Sequence, residues 1–296
     1  MLGLALGDAF GAPLEGGFLE RALWRLIGRT SHGHLRWTDD TQMALDLAES
    51  LISCRAIDQD DIASRFARGY RWSRGYGPGA ARILKLIRRG VDWRTANTRV
   101  FREGSFGNGG AMRAPVVGLF SANNLDWVVS HARATAVITH AHPLGQDAAV
   151  LVALTTALAL DKHTPAQILG LLEEHSNQAP LRERLRTAIA WIGTGKVSPE
   201  EVRARLGNGI AATDSCVTAV YVALRFLDAP FAEMLDFVAT CRGDIDTIGA
   251  MAGAIWGARN GESALPLDKL TRLEGAERLR QIAVELHRVA VETTTA

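Results

Sequence analysis

Cysteine is nearly absent. The 296-residue chain has three, at Cys54, Cys216 and Cys241. An odd, sparse set with no CxxC pair excludes a disulfide framework and points to a reducing compartment. Excess charge is absent too: 33 basic residues stand against 32 acidic, a net charge of +1. That balance gives no sign of a nucleic-acid or membrane surface, and the short basic clusters LIRRG (86–90) and LRERLR (181–186) fit solvated helix faces. Met1 to Leu6 is apolar, but Asp8 interrupts it and no basic residue precedes it, which is not the pattern of a signal peptide. The longest apolar run, residues 148–160, falls short of a membrane span. These absences set the expectation of a cytoplasmic protein. No low-complexity linker divides the chain, so one domain over 1–296 is expected.

Helical periodicity is what is present. In 43–52, Ala44, Leu47, Ala48 and Leu51 recur at spacings of three and four. Similar stripes cover 61–72, 79–89, 126–138, 145–160, 165–175, 180–192, 213–227, 231–240 and 275–291, while strand alternation is scarce. The expected class is all-α, a compact orthogonal bundle of about ten or more helices. The stretch GDIDTIGAMAGAIWGARNG (243–261) is crowded with glycine and alanine. Each helical glycine costs roughly 1 kcal/mol relative to alanine, so this helix is read as the central one, approached closely by its neighbours.

Two acidic helix starts frame the chemistry. Thr38, Asp39 and Asp40 precede one apolar stripe; Asp244, Asp246 and Thr247 open the central helix. Helix capping explains one such residue at each start. It does not explain two aspartates at both. The alternative is a hard-metal site: four carboxylates and two hydroxyls suit two magnesium or manganese ions, which would cancel the repulsion.

Other segments are weaker alone. GLALGDAFGAPLEGG (3–17) bears Asp8 and Glu15 among glycines that allow tight backbone paths. EGSFGNGGAMRAPVVGL (103–119) has glycines and Ser105 able to present N–H groups to an anion, but lacks the lysine ending of a P-loop. The pairs His32/His34 and His140/His142 lack the further ligands of a zinc set. His142, followed by Pro143, is read as lining a pocket or fixing a loop. Cys216 is read as a small buried hydrophobe.

Together, GLALGDAFGAPLE, WTDDTQMAL, GSFGNGGAMR, THAHPLGQDAA and GDIDTIGAMAGAIWGA resemble, in order, the motifs of the ADP-ribosylglycohydrolase family. Its members include dinitrogenase reductase-activating glycohydrolases and eukaryotic ADP-ribosylhydrolases. The resemblance implies an all-α bundle around a binuclear Mg²⁺ or Mn²⁺ centre ligated by Thr38, Asp39, Asp40, Asp244, Asp246 and Thr247. It implies Glu15 as a general acid or base, with turnover depending also on Asp40 and Asp246. It places Gly104, Ser105, Phe106, Gly107, Asn108 and Gly109 at the diphosphate and adenosine of ADP-ribose, with His142 lining the pocket.

The implied reaction is hydrolysis of the bond between ADP-ribose and an acceptor, on a mono-ADP-ribosylated protein or a small ADP-ribose conjugate. By analogy with bacterial relatives the acceptor is arginine; serine, O-acetyl-ADP-ribose and nucleic-acid ends stay open, as does a non-catalytic ADP-ribose binder. A monomer is expected. Two departures stand out. Arg242 occupies a place where the family commonly has glycine, so it either lines the pocket or points outward. The first motif begins at residue 3, so either the leading half of the first helix is missing or the start codon lies elsewhere, and in both cases Glu15 is the least secure assignment.

Overall fold

The structure, a computed structural model, describes residues 1–16, 24, 27–194 and 197–295. Sixteen α-helices carry these residues: α1 (Leu2–Gly11), α2 (Asp39–Cys54), α3 (Gln59–Gly69), α4 (Pro78–Arg88), α5 (Trp93–Val100), α6 (Pro115–Phe120), α7 (Leu125–Ala136), α8 (Pro143–Leu160), α9 (Pro165–His175), α10 (Ala179–Trp191), α11 (Pro199–Arg205), α12 (Ala212–Arg225), α13 (Phe231–Cys241), α14 (Ile245–Asn260), α15 (Leu267–Leu270) and α16 (Ala276–Thr295). Among the described residues there are isolated bridges but no sheet. The all-α expectation is met.

Local chemistry explains the helix starts. Proline opens α4, α6, α8, α9 and α11, where its missing N–H would have had no partner. Asp58, Asp92, Asn124, Thr164 and Ser198 each accept from backbone N–H groups of the first turn. α3 stops at Gly69, short of the expected 72. A Cβ on Gly69 would lie 2.1 Å from Asp46 Oδ2, so the chain passes α2 closely there and then turns through Trp72–Arg74.

The central helix is α14, buried continuously from Ile245 to Trp256. Its main partner is α1, the first helix, where the glycines permit a tight backbone path against α14. Added Cβ atoms would lie 2.2 Å from Gly253 O at Gly3 and 2.0 Å from Gly249 O at Gly7. Backbone therefore packs on backbone along this seam. The glycines cost helix propensity, and close packing offsets that cost.

α8 is 18 residues long and apolar enough to cross a membrane by length and composition. Most of its surface is taken up by neighbouring helices. Asp147 within it pairs with Arg133 and accepts from the N–H groups of Asn177 (2.7 Å) and Gln178 (3.0 Å). Cys216 is fully buried in α12, as its apolar neighbours imply.

Candidate active site

Thr38 is the N-cap of α2, and its hydroxyl oxygen accepts from the Asp40 N–H. The same hydroxyl donates to Asp40 Oδ2 at 2.9 Å. Behind this turn stands Asp8 of α1, fully buried. It accepts from Thr38 N (2.8 Å), Thr41 N (3.0 Å) and Thr41 Oγ1 (2.6 Å). The sequence offered Asp8 only as one acid in an apolar stretch, and its role as the clamp on the acidic turn went unread.

The second acidic turn meets the first. Thr247 Oγ1 lies 3.4 Å from Asp40 Oδ2, across 207 residues of sequence. Carboxylate oxygens of Asp8, Asp40 and Asp246 fall within 4.8 Å of one another, as do those of Glu15, Asp244 and Asp246. Glu15 thus reaches the cluster from the end of a 3-10 turn, Ala12–Leu14, that continues α1. Arg242 points outward, exposed, with φ +59° and ψ −167°. Glycine adopts that backbone freely and other residues adopt it only under strain.

Electrostatics show what the cluster lacks. Burial, then the charge of Asp8, pushes the Asp39 carboxyl up to about 8. Burial raises Asp8 to about 6, against the pull of the hydrogen bonds from Thr41 and Thr38. Asp40 and Asp246 are raised well above the usual range, first by burial; a hydrogen bond with Glu15 follows for Asp246. Among the described residues, Asp40 Oδ1 is buried without any hydrogen-bond partner. An all-oxygen donor set with an orphaned carboxylate oxygen fits hard divalent cations.

A cleft of about 340 Å³ opens over these residues. Asp39, Asp40, Asp244, Asp246, Thr247 and Glu15 line it together with Ser105, Gly107, Asn108 and Gly109. Thr38 faces a neighbouring cavity instead. Gly104 turns the loop at φ +82°, where a Cβ would strike His142 N at 2.3 Å. The loop is pinned at Gly107–Ala211 by a bridge and by Asn108 N donating to Ile210 O at 3.0 Å. Asn108 sends its amide to Asp244 Oδ2 and to Ser215 Oγ, so it orients a carboxylate as well as bordering the cleft. Phe106, 52% exposed, stands at the rim edge-on to His142, 5.6 Å between ring centroids. His142 caps α8, its Nδ1 accepting from Leu144 N at 3.1 Å.

The histidine inside the cleft is His140, to which sequence reading gave no role. Its ring lies under the loop, 2.6 Å from where a Gly109 Cβ would stand. Buried Arg113 donates to Thr139 Oγ1 (2.9 Å), and that hydroxyl is 2.8 Å from His140 Nδ1. Thr139 Oγ1 therefore bridges the Arg113 guanidinium and the His140 ring. Burial, then Arg113, lowers His140 to about 3, so the ring is neutral. The alternating T-H-A-H-P spacing was the available signal: a buried position beside a capping one.

A family model described as ADP-ribosylglycohydrolase matches residues 1–295. The chain belongs to the ADP-ribosylglycohydrolase family. It is 36% identical over 290 residues to the human ADP-ribosylhydrolase ARH3, covering 86% of this chain and 79% of the relative. The mouse protein of the same name gives 36% over 295 residues, covering 88% and 79%. ADP-ribosylarginine hydrolase Tri1 of Pseudomonas putida is 27% identical over 305 residues, covering 97% and 76%. A solved structure titled ADP-ribosylglycohydrolase-related protein complex superposes with a TM-score of 0.72 at 29% identity, covering 98% of this chain and 95% of that one. Membership makes the chain a glycosyl hydrolase acting on ADP-ribosylated substrates; the family is metal-dependent, and the acidic clusters here could hold a metal ion.

Proposed function

We propose that this enzyme hydrolyses the bond between ADP-ribose and an oxygen of its acceptor, a serine side chain or an acetyl group. The observation that carries the reading is the meeting of the two acidic turns, with Asp40 Oδ1 buried and unpartnered. Thr38, Asp39, Asp40, Asp244, Asp246 and Thr247 would hold two ions, Mg²⁺ or Mn²⁺. Bound there, such ions supply charge compensation and the electrophilic polarisation that makes water a competent nucleophile near neutral pH.

The chain's own residues do the rest. The loop Gly104–Gly109 receives the diphosphate on backbone N–H groups above the neutral His140 ring, with Phe106 against the adenosine side and His142 holding the loop from behind. Asp8 fixes the Thr38–Thr41 turn, and Asn108 fixes Asp244. Water oxygen adds at the anomeric carbon as the bond to the acceptor oxygen breaks. A serine alkoxide is a poor leaving group, so Glu15, beside the reacting bond, passes a proton to it and takes one back from the added water, whereas acetate leaves as a carboxylate and needs that proton less.

The choice of an oxygen linkage rests on the leaving-group side. The described lining there carries Glu15 and Asp246 as its carboxylates, with none left over to pair a guanidinium. The lower identity to the protein named for ADP-ribosylarginine supports the same choice. A second reading, the arginine linkage, is favoured by the indole faces of Trp24 and Trp72 in that lining, against which a guanidinium stacks.

A panel of serine-linked, acetyl-linked and arginine-linked ADP-ribose tests this, with Mg²⁺, with Mn²⁺ and with chelator. Release of intact ADP-ribose from the oxygen-linked members, abolished by chelator, is expected. AMP as product would make the enzyme a phosphoesterase, and turnover of the arginine member alone would install the second reading.

A further inference from the structure

Glu15, Gly75 and Asp246 form a partition with a cavity on each side. One side is the cleft already described. The other, about 330 Å³, is walled by Ala12, Ile27, Trp24, Trp72 and Ser73, with Thr38 at its base. Trp72 is 78% exposed, more than any other large hydrophobic side chain among the described residues. An indole left in water at the lip of a catalytic partition has apolar surface to give to a ligand. Ser73 Oγ accepts from Arg36 at 3.0 Å, which leaves the hydroxyl proton free to be donated.

We infer that this second cavity is the acceptor subsite, and that Trp72 packs against the peptide backbone flanking the modified residue of a protein substrate. The inference rests on the hydrolase reading above. The bond that breaks must lie beside Glu15 and Asp246, so a substrate whose ADP-ribose fills the first cleft projects its leaving group across the partition.

A peptide suits this surface better than a nucleic-acid end. Among the described residues, the nearby guanidinium groups are already engaged: Arg74 with Glu274 and Trp37 O, Arg36 with Ile27 O and Ser73, Arg71 with the carbonyls of Arg68 and Tyr70. They offer no track for phosphates. An indole face, an apolar wall and a single hydroxyl are complementary to amide and side-chain surface.

The test compares kcat/KM for an ADP-ribosylated peptide with that for ADP-ribose carrying only an acetyl ester, in wild type, Trp72→Ala and Trp72→Phe. Trp72→Ala is expected to lower the peptide-to-acetyl ratio about tenfold, the scale of one lost aromatic contact, through KM rather than kcat. Trp72→Phe is expected to restore most of the ratio. An unchanged ratio overturns the subsite, as does an effect seen with a conjugate on a nucleic-acid end and not with the peptide. If wild type turns over no conjugate, the hydrolase reading falls instead. Equal binding of the peptide conjugate to wild type and Trp72→Ala would then overturn the subsite, and weaker binding to the variant would support it.

Discussion

Asp147 and Asp40 are equally hidden, 1% and 2% exposed, and each lies near the start of its helix. Asp147 has a cation, Arg133, and two backbone donors. Asp40 has the hydroxyls of Thr38 and Thr247 on one oxygen and nothing on the other. Around it stand Asp8, Asp39, Asp244 and Asp246, and no ion pair among the described residues compensates them. A buried charge is tolerated when paired and costly when not. The first arrangement ties α7, α8 and the chain before α10 together. The second holds a charge deficit that only an incoming cation or protons can fill.

The contrast is broken most severely by neutralising the deficit. Asp40→Asn and Asp246→Asn are each expected to reduce turnover about a thousandfold, the scale of the several kcal/mol a catalytic ion supplies, with helical circular dichroism unchanged. Full activity in both would remove these residues from the site. Asp147→Ala should do the opposite: lose about 3 kcal/mol in urea unfolding by stranding Arg133 and two N–H groups, yet keep its kcat while folded. Asp8→Asn lies between the two. It touches the turn and not the cleft, so affinity for Mn²⁺ and turnover should fall roughly 10–100-fold, as when the support of a ligand is lost. Calorimetric titration with Mn²⁺ reads this directly.

The mildest test is pH. In metal-free protein Asp39 and Asp8 titrate near 8 and 6, above their ordinary value of 3.8. The folded chain then binds more protons than the unfolded chain between about pH 4 and 8, so stability is lost as pH rises through that window. The melting temperature should fall from about pH 5 to about pH 8, and added Mg²⁺ should raise it more at the upper end. A flat profile would mean the deficit is already compensated.

Much of this was legible beforehand because periodicity reports burial. The stripes at 165–175, 180–192 and 231–240 coincide with helices to within a residue or so. The acidic turns were legible because duplication exceeded what capping needs. What the glycines of α1 serve was not legible, because glycine in one sequence looks the same whether it marks a turn or a helix seam; the difference lies in Gly249 and Gly253, far along the chain. Asp8 and His140 were passed over for the same reason, since the groups they serve are distant in sequence or carried on another element. Nothing in the pattern around Trp72 foretold an exposed indole at the partition.

The seam between α1 and α14 also has a consequence in time. Helix α1 emerges from the ribosome with Leu2, Leu4 and Leu6 bare, and residues 245–260 follow only after more than 230 further residues have been made. At roughly 5–20 residues per second, that wait is on the order of ten seconds or more. Until it ends Asp8 has no seam to hold it in place and the cation site has only one of its two halves, so a nascent or truncated chain lacking residue 245 onward is mute, and hydrolysis itself certifies that synthesis has passed the second acidic turn.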